Sequence, residues 1–123
     1  MLYTLVKDNE EIRIITVLVE VIQYSNHEDV FTKIKAAISD MNSLIVLDLT
    51  MVKFMDSLAM GMLIPLLLYT RRLDGDMAVV TKDAKITELF RVLQLDKVMK
   101  VLGEVDAAVE YLRKMEARKN GGD

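Results

Sequence analysis

The side chains able to do chemistry are few, and most crowd one stretch of the chain. Ser57 is a hydroxyl directly after a carboxylate, Asp56, and a second carboxylate, Asp48, precedes them in the same segment. His27 is the single histidine, and there is no cysteine. Three chemistries suit these types: attack by an activated serine, cation binding by two carboxylates, and acceptance of a phosphoryl group. The first needs a base and, in its best-known setting, a Gly-x-Ser-x-Gly turn. Here the serine sits in Met55-Asp56-Ser57-Leu58-Ala59, so Ser57 and His27 are not expected to form a hydrolase triad. The second would let Asp48 and Asp56 hold magnesium together with phosphate ligands, since carboxylates suit that hard cation. No third acidic ligand stands nearby, and neither a Gly-rich phosphate loop nor a His-x-x-x-His spacing occurs. No catalytic residue, metal or cofactor is expected. Asp48 and Asp56 read instead as a strand-end hydrogen-bonding group and a helix cap. His27 reads as a solvated residue of a first helical turn.

Phosphoryl acceptance asks less of the chain. The serine must be exposed, near a partner surface, and placed where added charge changes an energy. A phosphate brings about −1.5 to −2 charge at neutral pH. At a helix N-terminus the backbone N–H groups and the dipole tolerate it. Beside Asp56, with Asp48 close, and pressed into an apolar interface, it is repelled and costly to desolvate. Phosphorylation would then leave the fold intact and block a partner.

The elements that hold these residues follow from the apolar pattern. Leu44 to Leu49 is a short apolar run interrupted only by Asp48, which suits a strand buried on both faces. Leu58 to Tyr69 is a longer apolar run and predicts a helix, with Asp56 or Ser57 as its N-cap. Pro65 removes the bond to the Gly61 carbonyl and crowds it, so a kink is expected near Gly61–Pro65, or a first segment that ends there. The alternative is that Pro65 begins a new helical segment, where it is well tolerated. Met51, Met55, Met60 and Met62 surround the motif; methionine packs cores but also suits adaptable binding surfaces.

Before this stretch, Leu2–Lys7 and Ile12–Val21 predict an antiparallel hairpin around Asp8-Asn9-Glu10-Glu11. Ile12 and Ile14 should face one way, and Ile15, Val17 and Val19 the other, so the second strand belongs inside a sheet. Ser25 and Glu28 fit a capping box, opening a helix from about His27 to Met41 with Val30, Ile34, Ile38 and Met41 as its stripe. After it, Arg71, Arg72 and Gly75 end the helix, and Met77–Thr81 is a strand. Asp83 caps a helix carrying Ile86, Leu89, Phe90 and Leu93. Val98–Leu102 is a short last strand, and Glu104 or Asp106 opens a final helix with Val105, Ala108, Val109, Leu112 and Met115 as its stripe. Strands alternating with helices predict an α/β fold: one mixed sheet, parallel by right-handed crossovers apart from the opening hairpin, with helices packed against it. A single domain over 1–119 with a frayed, disordered tail at 120–123 is expected.

Composition excludes some partners. A net charge of −3 argues against nucleic acid, whose phosphates call for a basic face. No signal peptide is recognisable at the start, and the apolar run Leu58–Tyr69 is shorter than the ~20 residues that span a bilayer. The expected compartment is the cytoplasm, without membrane insertion. Nothing in the sequence sets an oligomeric state.

One resemblance emerges from the motif residues. Val46-Leu47-Asp48-Leu49-Thr50, then Phe54-Met55-Asp56-Ser57 with Gly61 following and an apolar helix after it, resembles the STAS domain of anti-sigma factor antagonists. It extends over about Leu2 to Leu112. The family pattern is Asp-Ser-Ser/Thr-Gly-Leu-Gly, with a regulatory phosphoacceptor at one of its two hydroxyl positions. Asp56, Ser57 and Gly61 match it; Leu58 and Ala59 depart from it. One hydroxyl position is absent, and Ser57 alone can inherit the role. The resemblance implies the mixed α/β sheet. It implies a regulatory interaction domain whose unmodified form binds an anti-sigma factor that is a serine protein kinase, releasing the sigma factor, and which phosphate on Ser57 switches off. The expected partner-binding surface is Asp48, Met55, Asp56, Ser57, Leu58, Met60 and Gly61. The rival expectation is an interaction module of the same fold that is not phosphorylated, an accessory subunit of a transporter or signalling complex.

Overall fold

In the computed structural model, which describes residues 2–121, the chain runs β1 (Thr4–Asn9), β2 (Ile12–Val17), β3 (Val21–Ile22), α1 (His27–Ala36), β4 (Leu44–Asp48), β5 (Phe54–Met55) and α2 (Ser57–Gly61). It continues through α3 (Leu63–Arg72), β6 (Asp76–Val80), α4 (Ala84–Val92), a 3-10 turn (Leu95–Lys97), β7 (Lys100–Leu102) and α5 (Val105–Gly121). Five strands form one sheet in the order β1-β2-β4-β6-β7, antiparallel between β1 and β2 and parallel elsewhere. The mixed α/β architecture expected from the alternation is the one observed, and β4 lies at the centre of the sheet.

Side-chain alternation sorts this sheet into two cores. Ile15 and Val17 of β2, Ile45 and Leu47 of β4, and Met77 and Val79 of β6 enter the larger core. There they meet Val30 and Ile34 of α1, Ala59 and Met60 of α2, Leu63 and Leu67 of α3, and Phe90 of α4. Ile12, Val46, Ala78 and Val80 face the other way, onto Ala108, Val109 and Leu112 of α5. Ile14 packs against this second core and Val19 against the first, so the faces expected for the β2 segment hold. Leu47 is fully buried, and its truncation to alanine would cost about 2–5 kcal/mol.

Caps and turns explain the departures. Ser25 does not cap α1. The N-cap is Asn26, whose side chain serves the preceding turn: Oδ1 accepts from Gln23 N at 2.9 Å and Nδ2 donates to the Val21 carbonyl at 2.8 Å. The helix stops at Ala36, because Ser39 and Asn42 exchange backbone bonds in a small turn that leaves Met41 90% exposed. Val30, Ile34 and Ile38 of the expected stripe are buried. His27 is buried rather than solvated, with Nδ1 3.0 Å from the Tyr24 carbonyl oxygen.

The apolar helix is broken as Pro65 requires. Met62 divides α2 from α3 and donates its N–H to both the Leu58 and Ala59 carbonyls. Pro65 then falls in the first turn of α3, where no N–H is needed. At the far end of α3 the left-handed residue is Asp74, with φ 67°, not the glycine. Gly75 serves close approach instead: a Cβ there would lie 2.0 Å from the Ser43 carbonyl oxygen. Asp83 caps α4, its carboxylate accepting from Lys85 N and Ile86 N. α5 runs on through Asn120 to Gly121, past the boundary expected at residue 119; Gly122 and Asp123 of the expected tail lie outside the described residues. Among the described residues no helix is long and apolar enough to cross a membrane.

Candidate functional site

The site grows from the return of the chain after β4. Beyond Thr50 the segment turns back, and Phe54–Met55 pairs in parallel with Val21–Ile22 as a separate two-stranded sheet. Met55 and Ile22 are fully or almost fully buried; their neighbours Phe54 and Val21, paired in register, are exposed. Asp56 follows in extended conformation and caps α2: Oδ1 accepts from Ala59 N at 2.9 Å. Its second oxygen accepts from Tyr24 N at 3.0 Å. Ser57 is the first residue of α2 and is exposed, and its hydroxyl makes no hydrogen bond to another described residue. Leu58 follows, 46% exposed.

Of the two residues that could have been the cap, Asp56 holds the role. Ser57 is left with a hydroxyl that the fold does not use. Around it, Val21, Tyr24, Phe54 and Leu58 place exposed apolar side chains on segments that Asp56 and the short strand pair tie together, with Met51 exposed in the loop before β5. Grouped apolar exposure of this kind marks an interaction surface more often than chance. Gly61 ends α2, exposed, and a Cβ there would meet nothing within 4 Å.

Three residues expected on this surface are not on it. Met55 and Met60 are buried in the larger core, 1% and 0% exposed, because β5 alternates inward at Met55 and α2 turns its third and fourth residues to the sheet. They support the surface from beneath. Asp48 is separated from Asp56 by the sheet. Alternation along β4 places it on the α5 side with Val46, where it accepts from Thr16 Oγ1 at 3.2 Å and Thr50 N at 3.0 Å. The two carboxylates therefore share neither a surface nor a cation, and among the described residues no cluster of three His, Cys, Asp or Glu is placed to hold a metal.

Val21, Tyr24 and Phe54 escaped the sequence reading. Strands of two residues carry no periodicity, so the pairing that exposes Val21 and Phe54 left no mark.

The comparisons with known proteins agree with this architecture. The STAS domain family model matches residues 3–108. No curated protein sequence matches the chain. The crystal structure of an anti-sigma factor antagonist from Mycobacterium paratuberculosis superposes with a TM-score of 0.76 at 22% identity, over 89% of this chain and 92% of that one. SpoIIAA, an anti-sigma factor antagonist in its unphosphorylated form, gives 0.63 at 16% identity, over 89% and 97%. The murine Slc26a9 anion transporter in its inward-facing state gives 0.75 at 16% identity, over 88% of this chain but only 18% of the transporter. At these identities the likeness is one of fold.

Proposed function

The chain belongs to the STAS domain family, and from that premise we propose that it is an anti-sigma factor antagonist, acting by binding and not by catalysis. Its partner is an anti-sigma factor with serine-kinase activity, bound in the cytoplasm across Ser57, Leu58 and Gly61 together with Phe54, Val21 and Tyr24. Phosphorylation of Ser57 ends the interaction.

The observation that carries this reading is the state of Ser57. It is exposed, it is relieved of capping by Asp56, and it stands beside exposed Leu58. A phosphate there sits next to the Asp56 carboxylate and at the margin of an apolar surface. It therefore opposes docking by charge repulsion and by the cost of desolvation, while touching no bond that holds the fold. Gly61 adds support. An exposed helical glycine costs about 1 kcal/mol against alanine, and no packing requires it here. A bare backbone at that point suits close approach by a partner.

The test is incubation with a candidate anti-sigma kinase and ATP, followed by mass spectrometry and a pull-down. Modification confined to Ser57, with loss of the complex, is the expected result. A chain that binds the kinase but stays unmodified favours a second reading, a permanently bound module in a larger assembly. Apolar Leu58, where the family carries a hydroxyl, speaks for that alternative.

A further inference from the structure

The outer strand of the main sheet is open and matches itself. Leu18 N donates to the Tyr3 carbonyl at 2.8 Å, which makes Tyr3–Leu18 a hydrogen-bonded pair of the β1–β2 ladder. In an antiparallel ladder such pairs alternate with non-bonded ones. With the register Thr4↔Val17 to Asn9↔Ile12, the inward-bonded residues of β1 are then Leu5, Lys7 and Asn9. The N–H and C=O groups of Thr4, Val6 and Asp8 point outward, and β1 ends the strand order, with β2 as its one neighbour in the sheet.

This edge lacks most of the usual protection. Natural edges are blunted by proline, bulges, inward charges or edge lysines, and of these β1 carries only Lys7. β1 has no proline, its register runs without a bulge, and Leu5 and Val6 are 56% and 41% exposed. Asp8, which would repel an incoming strand, is drawn to its own hairpin: Arg13 donates Nε to Oδ1 at 2.7 Å and Nη2 to Oδ2 at 2.9 Å.

We infer that β1 pairs with β1 of a second copy of this chain, antiparallel about a two-fold axis at Val6. Val6 then lies opposite Val6, Thr4 opposite Asp8, and Leu5 opposite Lys7, whose methylene stem covers the leucine. Each outward-facing pair exchanges two backbone bonds, and no like charges meet. Sliding the register toward the turn by one bonded pair sets Lys7 against Lys7, which charge disfavours. Sliding it the other way sets Asp8 against Leu2, beyond the end of β1, so the centred arrangement keeps Thr4, Val6 and Asp8 all paired within the strand. The two sheets become one, and the surface around Ser57 lies on other elements. An edge-to-edge contact of this kind falls at the small end of specific interfaces, so the dimer is weak.

Sedimentation velocity on the full chain from about 10 µM to about 1 mM tests the inference, a range that brackets weak association. The expected result is a shift from the 14.0 kDa monomer toward a dimer as concentration rises. Amide hydrogen exchange at Thr4, Val6 and Asp8 should slow over the same range. Val6→Pro should abolish both effects, since it removes an outward N–H that β2 does not use. Val6→Lys, which sets like charges on the axis, serves if the proline variant does not fold. A monomer across the whole range overturns the inference. So does a dimer that persists in folded Val6→Pro or Val6→Lys, which would place the contact on another surface.

Discussion

Asp56 and Tyr24 are joined across the fold by a single bond, the Tyr24 N–H donated to Asp56 Oδ2 at 3.0 Å, while the other oxygen of the same carboxylate caps α2. One side chain thus sets the helix that carries Ser57 and anchors the loop that leads into α1. Asp56→Ala removes both acceptors and should lower stability by about 1–3 kcal/mol. Asp56→Asn keeps one acceptor oxygen and should lose less. Denaturant midpoints of the two variants check this, and equal losses would argue against two separate bonds.

Because Asp56 is the cap, Ser57→Ala should change stability by less than about 0.5 kcal/mol, as at an unencumbered surface position. The same variant should keep the partner and lose phosphorylation. Ser57→Asp should weaken partner binding about tenfold or more, about 1.4 kcal/mol, with the thermal midpoint nearly unchanged. Titration calorimetry beside thermal melts separates the two effects. Leu58→Ser restores the second hydroxyl of the family motif. If only that variant is phosphorylated, and at position 58, the native chain is a constitutive module.

Gly61→Ala should stabilise the protein by about 0.5–1 kcal/mol, since the added methyl meets open space and alanine favours the helix. If Gly61 is bare for a partner, the same methyl should weaken the complex. A gain in melting temperature with no loss of affinity would remove Gly61 from the binding surface.

The hairpin carries a pH signature. The hydrogen bond from Arg13 holds the Asp8 carboxyl below its ordinary value of 3.8. A carboxylate depressed in the folded state contributes stability that is present above its unfolded value and fades as pH falls toward the folded one. Asp8→Asn should therefore lower the melting temperature slightly at neutral pH and not at all in strong acid. Exposure of the pair keeps the effect small. Arg91 lowers Glu88 in the same way, so some acid dependence should survive the substitution. Melts at a series of pH values below about 5 test this; a difference that stays constant with pH would contradict it.

Much of the fold was legible because single residues carried strong local signals. Asp83 stands before an amphipathic run and caps it; Ile12, Ile14, Ile15 and Val17 divide between two faces by simple alternation. Pro65 announced the break at Met62. Other features depended on competition that a sequence does not display. Ser25 has the right type for a cap, but Asn26 was drawn into the turn at Gln23 and displaced it. Met60 sits in a run apolar on every side, where periodicity cannot say which residue turns inward, and Met55 belongs to a strand of two residues, too short to show alternation. Asp48 looked close to Asp56 along the chain, and one step of β4 alternation put the sheet between them.

The two-residue pairing of Val21–Ile22 with Phe54–Met55 couples recognition to folding itself. The surface around Ser57 draws on segments that meet only after α1 has crossed over and β4 has taken its central place. A partner that docks on this surface would therefore favour the native state over the unfolded chain. A partner present at a hundred times its dissociation constant would add about 2.7 kcal/mol to the stability of this domain. If phosphorylation of Ser57 releases that partner, as proposed, the same event would withdraw this protection and leave the free domain more open to proteolysis.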